Sequence, residues 1–117
     1  MKKIFIADDD EAIVDATSLM LEVMGYEVSH TLSGAAVPDA LRSKPDLLLL
    51  DIWMSGMDGR DICKQLKADP ETVAIPVLMI SASRDIRESA LASGADDFLA
   101  KPFEMDVLID KIKKLTS

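Results

Sequence analysis

At 117 residues, 49% of them apolar, the chain is long enough to bury a core unaided and too apolar to stay disordered. Its formal net charge of −8 argues against direct nucleic-acid binding, and no apolar run approaches the ~18 residues a membrane span requires. The single cysteine, Cys63, excludes an internal disulfide and fits a reducing, cytoplasmic setting.

The first element is a short apolar run, Ile4–Ala7, directly followed by Asp8, Asp9 and Asp10. Lys2 and Lys3 precede it, but so short a run makes no signal peptide. Ile13, Thr17, Met20, Leu21 and Met24 recur at helical spacing until Gly25 stops them, and Asp10 suits the cap of that helix. Tyr26 and Val28 alternate with Glu27 and Ser29, as in a half-exposed edge strand. In Gly34–Ser43, Pro38 stands where an interior helical N–H is needed, so a helix there starts near Pro38 or kinks. Leu47–Leu50 is a second continuous apolar run, followed by Asp51. Asp58 suits the cap of a helix carrying Ile62, Cys63 and Leu66 and ending before Pro70. Val77–Ile80 is a third run, followed by Ser81; Asp85 suits the cap of a short helix ending at Gly94. Phe98–Ala100 reads as a second edge strand, followed by Lys101. Met105, Leu108, Ile109, Ile112 and Leu115 form a last helical stripe, with Lys111, Lys113 and Lys114 near its end, where cations favour the helix dipole.

The β-α unit thus recurs five times within one domain, residues 1–117. Runs that are continuously apolar indicate strands covered on both faces, and right-handed crossovers leave few topologies. The expected fold is α/β: a flavodoxin-like, doubly wound, five-stranded parallel sheet of order 2-1-3-4-5, with helices on both faces and the two weak runs at its edges.

In such a sheet, sites form beyond the carboxyl ends of the strands. Asp8 and Asp9, Asp51, Ser81 and Lys101 all follow buried runs and so converge on one rim. Crowded carboxylates raise one another's pKa unless a cation offsets them, and few hard oxygen donors suit Mg²⁺. A carboxylate, a hard metal, a hydroxyl and an ammonium are also the parts that phosphoryl transfer uses: one group attacks phosphorus and the others stabilise charge on the transferred oxygens.

Four segments together carry a resemblance: Ala7-Asp8-Asp9-Asp10-Glu11, Leu50-Asp51-Ile52-Trp53-Met54-Ser55-Gly56-Met57-Asp58-Gly59, Ile80-Ser81-Ala82 and Ala100-Lys101-Pro102-Phe103. In this order and spacing they resemble the receiver domain of two-component response regulators over essentially the whole chain, most nearly the single-domain chemotaxis type. The resemblance implies Asp51 as phosphoacceptor, with Asp9, Asp8 and the Trp53 carbonyl joining Asp51 as Mg²⁺ ligands. It implies Ser81 as switch hydroxyl, Lys101 as the phosphoryl-contacting lysine, Phe98 as the aromatic switch and a cis bond between Lys101 and Pro102. Ser55 departs from the proline usual at its position, which leaves the loop after Asp51 less rigid.

Several residues have plainer readings. Cys63 falls on an apolar stripe and reads as a buried structural thiol. His30 has no evident partner acid and no second histidine in the chain, and reads as a surface or edge residue. The methionines read mostly as core filler, with Met54 and Met57 exposed beside the site loop. Trp53 either shields the acyl phosphate from water or lies along the surface.

The implied function is a phosphoacceptor switch. A sensor histidine kinase or phosphotransfer protein supplies phosphohistidine, Asp51 takes the phosphoryl group, and a downstream effector protein reads the altered face. No substrate is turned over, so the chain is not an enzyme in the ordinary sense; no membrane or direct nucleic-acid contact is expected, and the last helix offers a phosphorylation-dependent dimer. The alternative is a small Mg²⁺-dependent phosphatase of the haloacid-dehalogenase type using Asp8. Against it, Ala12 stands where that family places a hydroxyl or β-branched residue, and no capping insertion is present. A third possibility is an interaction domain that keeps the fold without the chemistry.

Overall fold

The computed structural model describes residues 1–54 and 56–117; Ser55, whose departure from proline bears on loop rigidity, lies outside the described residues. Five parallel strands form the sheet: β1 Lys3–Ala7, β2 Glu27–Thr31, β3 Leu47–Asp51, β4 Val77–Ser81 and β5 Asp97–Ala100. They lie in the order β2-β1-β3-β4-β5, the expected flavodoxin-like arrangement. A short antiparallel hairpin, Trp53–Met54 against Met57–Asp58, follows β3, with Gly56 at φ +78° in its turn.

The helices are α1 Glu11–Val23, α2 Val37–Ala40, α3 Gly59–Ala68, α4 Arg87–Ala92 and α5 Met105–Thr116. Successive strand residues point to opposite faces, so each central strand feeds two cores. Ile4, Ile6, Leu47, Leu49, Leu78 and Ile80 face α1 and α5, where Val14, Leu21, Leu108 and Ile112 meet them. Phe5, Ala7, Leu48, Leu50, Val77 and Met79 face α2, α3 and α4, against Val37, Leu41, Ile62, Cys63, Leu66 and Ala90. This two-sided burial is why the β1, β3 and β4 sequences read as unbroken apolar runs.

Helix boundaries follow local chemistry. Asp10 accepts from the amides of Ala12 and Ile13, and Asp58 accepts from that of Arg60, as expected of caps. Gly25 follows α1 at φ +94°, where a side chain would be strained. Pro38 does interrupt its segment, leaving the four-residue α2 between 3₁₀ turns at Gly34–Ala36 and Leu41–Ser43. Asp85 is not a cap. It falls within a 3₁₀ turn, Arg84–Ile86, and α4 begins after Ile86 without side-chain capping.

The methionines correct another expectation. Met54 is fully buried, while Met20 and Met24 are exposed beside Leu19 and Val23 on the outer side of α1. The buried stripe of α1 is Val14, Thr17 and Leu21, a narrower set than the apolar positions suggest. Met57 is exposed as expected, and so is His30, on edge strand β2. Cys63 is buried, and that burial pushes its thiol pKa up, as befits an inert structural cysteine. Lys111 pairs with Asp97 of β5 at 2.9 Å, while Lys113 and Lys114 stay exposed in the last turn of α5.

Candidate functional site

The register of the sheet assembles the site. Ala7 pairs with Leu50, Asp51 with Ile80 and Ser81 with Ala100, so the residues following β1, β3, β4 and β5 meet at one rim. Backbone bonds lock the strand ends: the Asp8 amide donates to Thr31, Ile52 to Ile80 and Lys101 to Ser81, the last at 2.7 Å. The Lys101–Pro102 peptide bond is cis, as the resemblance implied.

Asp8 and Asp51 are nearly buried, and Lys101 reaches both. Its Nζ lies 2.8 Å from Asp8 Oδ2 and 3.5 Å from Asp51 Oδ1. The other Asp8 oxygen accepts from the Asp10 amide at 2.9 Å. Carboxylate oxygens of Asp8, Asp9 and Asp51 all lie within 4.8 Å of one another, close enough to share one cation. An all-oxygen, acid-rich donor set of this size fits a hard divalent ion such as Mg²⁺.

The electrostatics agree with that reading. Burial, reinforced by the charge of Asp8, pushes the Asp51 carboxyl up to about 6, against the downward pull of Lys101. Burial acts to lower Lys101, but its bond to Asp8 and the charge of Asp51 outweigh this and hold the ammonium above its ordinary range. Asp51 is thus a carboxylate that a cation would favour strongly, while still mostly ionised at neutral pH.

A cavity of about 360 Å³ opens onto Asp51, lined by Trp53, Arg60, Ser81, Ser83, Ile86 and Lys101, with Ala82 completing it. Ser81 is buried at its edge, and its Oγ accepts from the Ser83 amide at 3.0 Å. Trp53 lines the cavity but is 60% exposed, so it is not sealed over Asp51. Phe98 does not join the cavity lining. Its ring is buried in the core on the α4 side, where Ile86 and Ala100 also pack.

Two contributors escaped the sequence reading. Gly59 starts α3 directly against β3: a Cβ there would lie 2.6 Å from the Asp51 carbonyl oxygen. Its sequence signals are its place after the Asp58 cap and at the end of the Leu50–Gly59 segment, neither of which shows the close approach to β3. Arg60 grips Asp58 with two nitrogens and so holds that carboxyl below its ordinary range. In sequence it looks like any exposed helical arginine.

The model of the response regulator receiver domain matches residues 4–113. The chain belongs to the response-regulator receiver family. The receiver is 38% identical over 118 residues to the DNA-binding dual master transcriptional regulator RpaA of Synechocystis, covering 98% of this chain and 49% of RpaA. It is 43% identical over 117 residues to the response regulator PleD of Caulobacter vibrioides, covering 97% of this chain and 26% of PleD. The chain therefore spans about half the length of one relative and a quarter of the other. Among solved structures, the response regulator TrrA of Thermotoga maritima, in complex with Mg²⁺ and a beryllium fluoride, superposes with a TM-score of 0.88. It shares 29% identity, and the match covers 98% of this chain and 99% of that one. Receiver domains serve two-component signalling as phosphoacceptor switches, and the acidic rim of Asp8, Asp9 and Asp51 suits that function. The dehalogenase-type alternative is left without support: the family match is to receivers.

Proposed function

We propose that Asp51 is the phosphoacceptor of this receiver and that Asp8, Asp9, Asp51 and the Trp53 carbonyl hold the Mg²⁺ ion it requires. The observation that carries this reading is the placement of Lys101 Nζ between Asp8 and Asp51, at the rim where the strands end. The metal, when bound, supplies positive charge to the phosphoryl oxygens and to the acceptor.

The chain's own residues do the rest. An Asp51 oxygen attacks the phosphorus of a phosphohistidine; the P–N bond breaks, the imidazole leaves with its electron pair, and an acyl phosphate forms on Asp51. Lys101, already 3.5 Å from that carboxylate, needs only a small side-chain shift to meet a phosphoryl oxygen. Ser81 offers its hydroxyl from the same cavity. Once Ser81 moves toward the phosphoryl group, the Ser83–Ile86 segment and α4 follow. Ser81 acts as the switch hydroxyl; Phe98, whose ring is already buried, acts as the aromatic switch only by changing rotamer from this inward position.

The donor is a sensor histidine kinase or a phosphotransfer protein, and the reader is an effector protein or a further domain. The only group transfer is to and from Asp51, so the receiver is a regulator and not an enzyme that turns over a substrate. We assign residues 1–117 to one receiver unit acting in the cytoplasm. A buried reduced thiol at Cys63 suits that compartment. No helix among the described residues is long and apolar enough to cross a membrane.

Incubation with Mg²⁺ and a small acyl-phosphate donor, followed by intact-mass measurement, tests the reading. One added phosphoryl group is expected on the wild type and none on Asp51→Asn. Uptake that survives Asp51→Asn overturns the assignment.

A further inference from the structure

Arg60 stands at the mouth of the acceptor cavity, yet the chemistry above gives it no part. Its Nε lies 2.9 Å from Asp58 Oδ1 and its Nη2 lies 2.6 Å from Asp58 Oδ2. Its Nη1 reaches across to α4 and donates to Ser89 Oγ at 3.0 Å. The Ser89 hydroxyl in turn donates to the Ile86 carbonyl at 3.1 Å, so it accepts from Arg60 without giving up its own bond. Asp58 both caps α3 and pairs with Trp53 in the hairpin after β3. One guanidinium therefore ties the acceptor loop to α4.

Besides this contact, the element so tied is held through Ala90, which is buried in the core. α4 spans six residues, and its first turn has no side-chain cap. A helix that short has no stability of its own and takes its position from its contacts. It also follows Ser81 closely, through Ser83 and the turn that ends at Ile86, which lines the cavity. If Ser81 moves toward a phosphoryl group on Asp51, this segment moves with it relative to the hairpin, and the Arg60–Ser89 contact is one that such a motion has to break or carry along.

We propose that Arg60 is a positioning residue that holds α4 in its unphosphorylated place through Ser89, and so opposes the switch. The inference rests on the reading of Asp51 as phosphoacceptor. A contact present in one state only lowers the affinity of any ligand that favours the other state. One hydrogen bond from a charged donor in a partly exposed site corresponds to about threefold to tenfold in that affinity.

Beryllofluoride with Mg²⁺, standing in for the phosphoryl group and titrated against the whole chain, tests the tether. Ser89→Ala is expected to raise beryllofluoride affinity by about threefold to tenfold. In an Arg60→Met background the same substitution is expected to change nothing further, which separates loss of the tether from the better helix propensity of alanine. An unchanged or lower affinity in Ser89→Ala, or an equal gain in both backgrounds, overturns the tether while leaving the acceptor reading intact. A wild type that takes up no beryllofluoride overturns the acceptor reading, and the tether with it.

Discussion

Lys101 Nζ sits 2.8 Å from one oxygen of Asp8 and 3.5 Å from one oxygen of Asp51, so a single ammonium serves two nearly buried carboxylates from neighbouring strands. Without it the two acids repel across a site of low polarisability. In Lys101→Met the Asp51 midpoint should rise above its value of about 6, because the downward pull of the ammonium is gone. Side-chain carboxyl NMR across a pH series measures this directly. Phosphoryl uptake from a small acyl phosphate should fall roughly 10- to 100-fold, the scale of one lost electrostatic stabiliser. An unmoved Asp51 midpoint would show that Lys101 is not coupled to the acceptor.

Asp51 itself makes stability depend on pH. Its carboxyl stands at about 6 in the fold against an ordinary 3.8. Between those values the folded protein binds more protons than the unfolded chain, so stability falls as pH rises through the window and stays lowered above it. Asp51→Asn removes that penalty. Urea unfolding without divalent ions should show the variant more stable by on the order of 1–2 kcal/mol near neutral pH, with the gain vanishing below about pH 4. Mg²⁺ favours the ionised form, so adding it should narrow the gap, and its own affinity should decline as pH drops below about 6. A wild type at least as stable as Asp51→Asn near neutrality contradicts the buried-charge account.

Gly59 is required by space. A Cβ at that position would meet the Asp51 carbonyl oxygen at 2.6 Å and the Ile52 Cα at 3.0 Å. Both are backbone atoms and neither can swing aside. Gly59→Ala must therefore displace the start of α3 from β3, at a cost of roughly 1–3 kcal/mol, typical of overpacking. The displacement also disturbs the loop bearing Asp51, so Mg²⁺ affinity should fall together with thermal stability. Calorimetry and a Mg²⁺ titration on the same sample check both, and full Mg²⁺ affinity in the variant rules the coupling out.

Trp53 is the only tryptophan, and it lines the cavity that opens onto Asp51. Its emission should therefore change on addition of Mg²⁺ and again on addition of beryllofluoride, giving a direct binding signal. With 60% of the residue exposed, the ring screens the acceptor from one side only. We expect Trp53→Asn to shorten the acyl-phosphate lifetime modestly, by about threefold, through easier water entry. Decay of the phosphorylated mass species measures it, and an unchanged lifetime means the ring merely lies along the surface.

Much of the fold was legible because its rules are local and periodic. Leu47–Leu50 and Val77–Ile80 could be read as central strands because each is of strand length, and a strand covered on both faces is apolar throughout. Asp10 and Asp58 could be read as caps because their role is settled by the next two or three amides. Reading weakened where packing chose among equivalent residues. Met20 and Met24 match the period of α1 yet lie outside, while Met54, expected in solvent, is buried. Asp85 has the chemistry of a cap, but the turn around Arg84–Ile86 leaves it outside the first turn of α4.

The order of residue types along the chain by itself determined that Asp8, Asp9, Asp51, Ser81 and Lys101 end up at one rim, because each ends or follows a strand and parallel strands deliver their carboxyl ends to one edge. Only the tertiary structure decided what that rim does to their charges. Burial beside Asp8 raises the pKa of Asp51, Lys101 bonds Asp8 at 2.8 Å while standing 3.5 Å from Asp51, and the span of Arg60 from Asp58 to Ser89 joins the site to α4. These depend on distances between segments far apart in the chain, and a sequence pattern carries spacing along the chain but not distance across space.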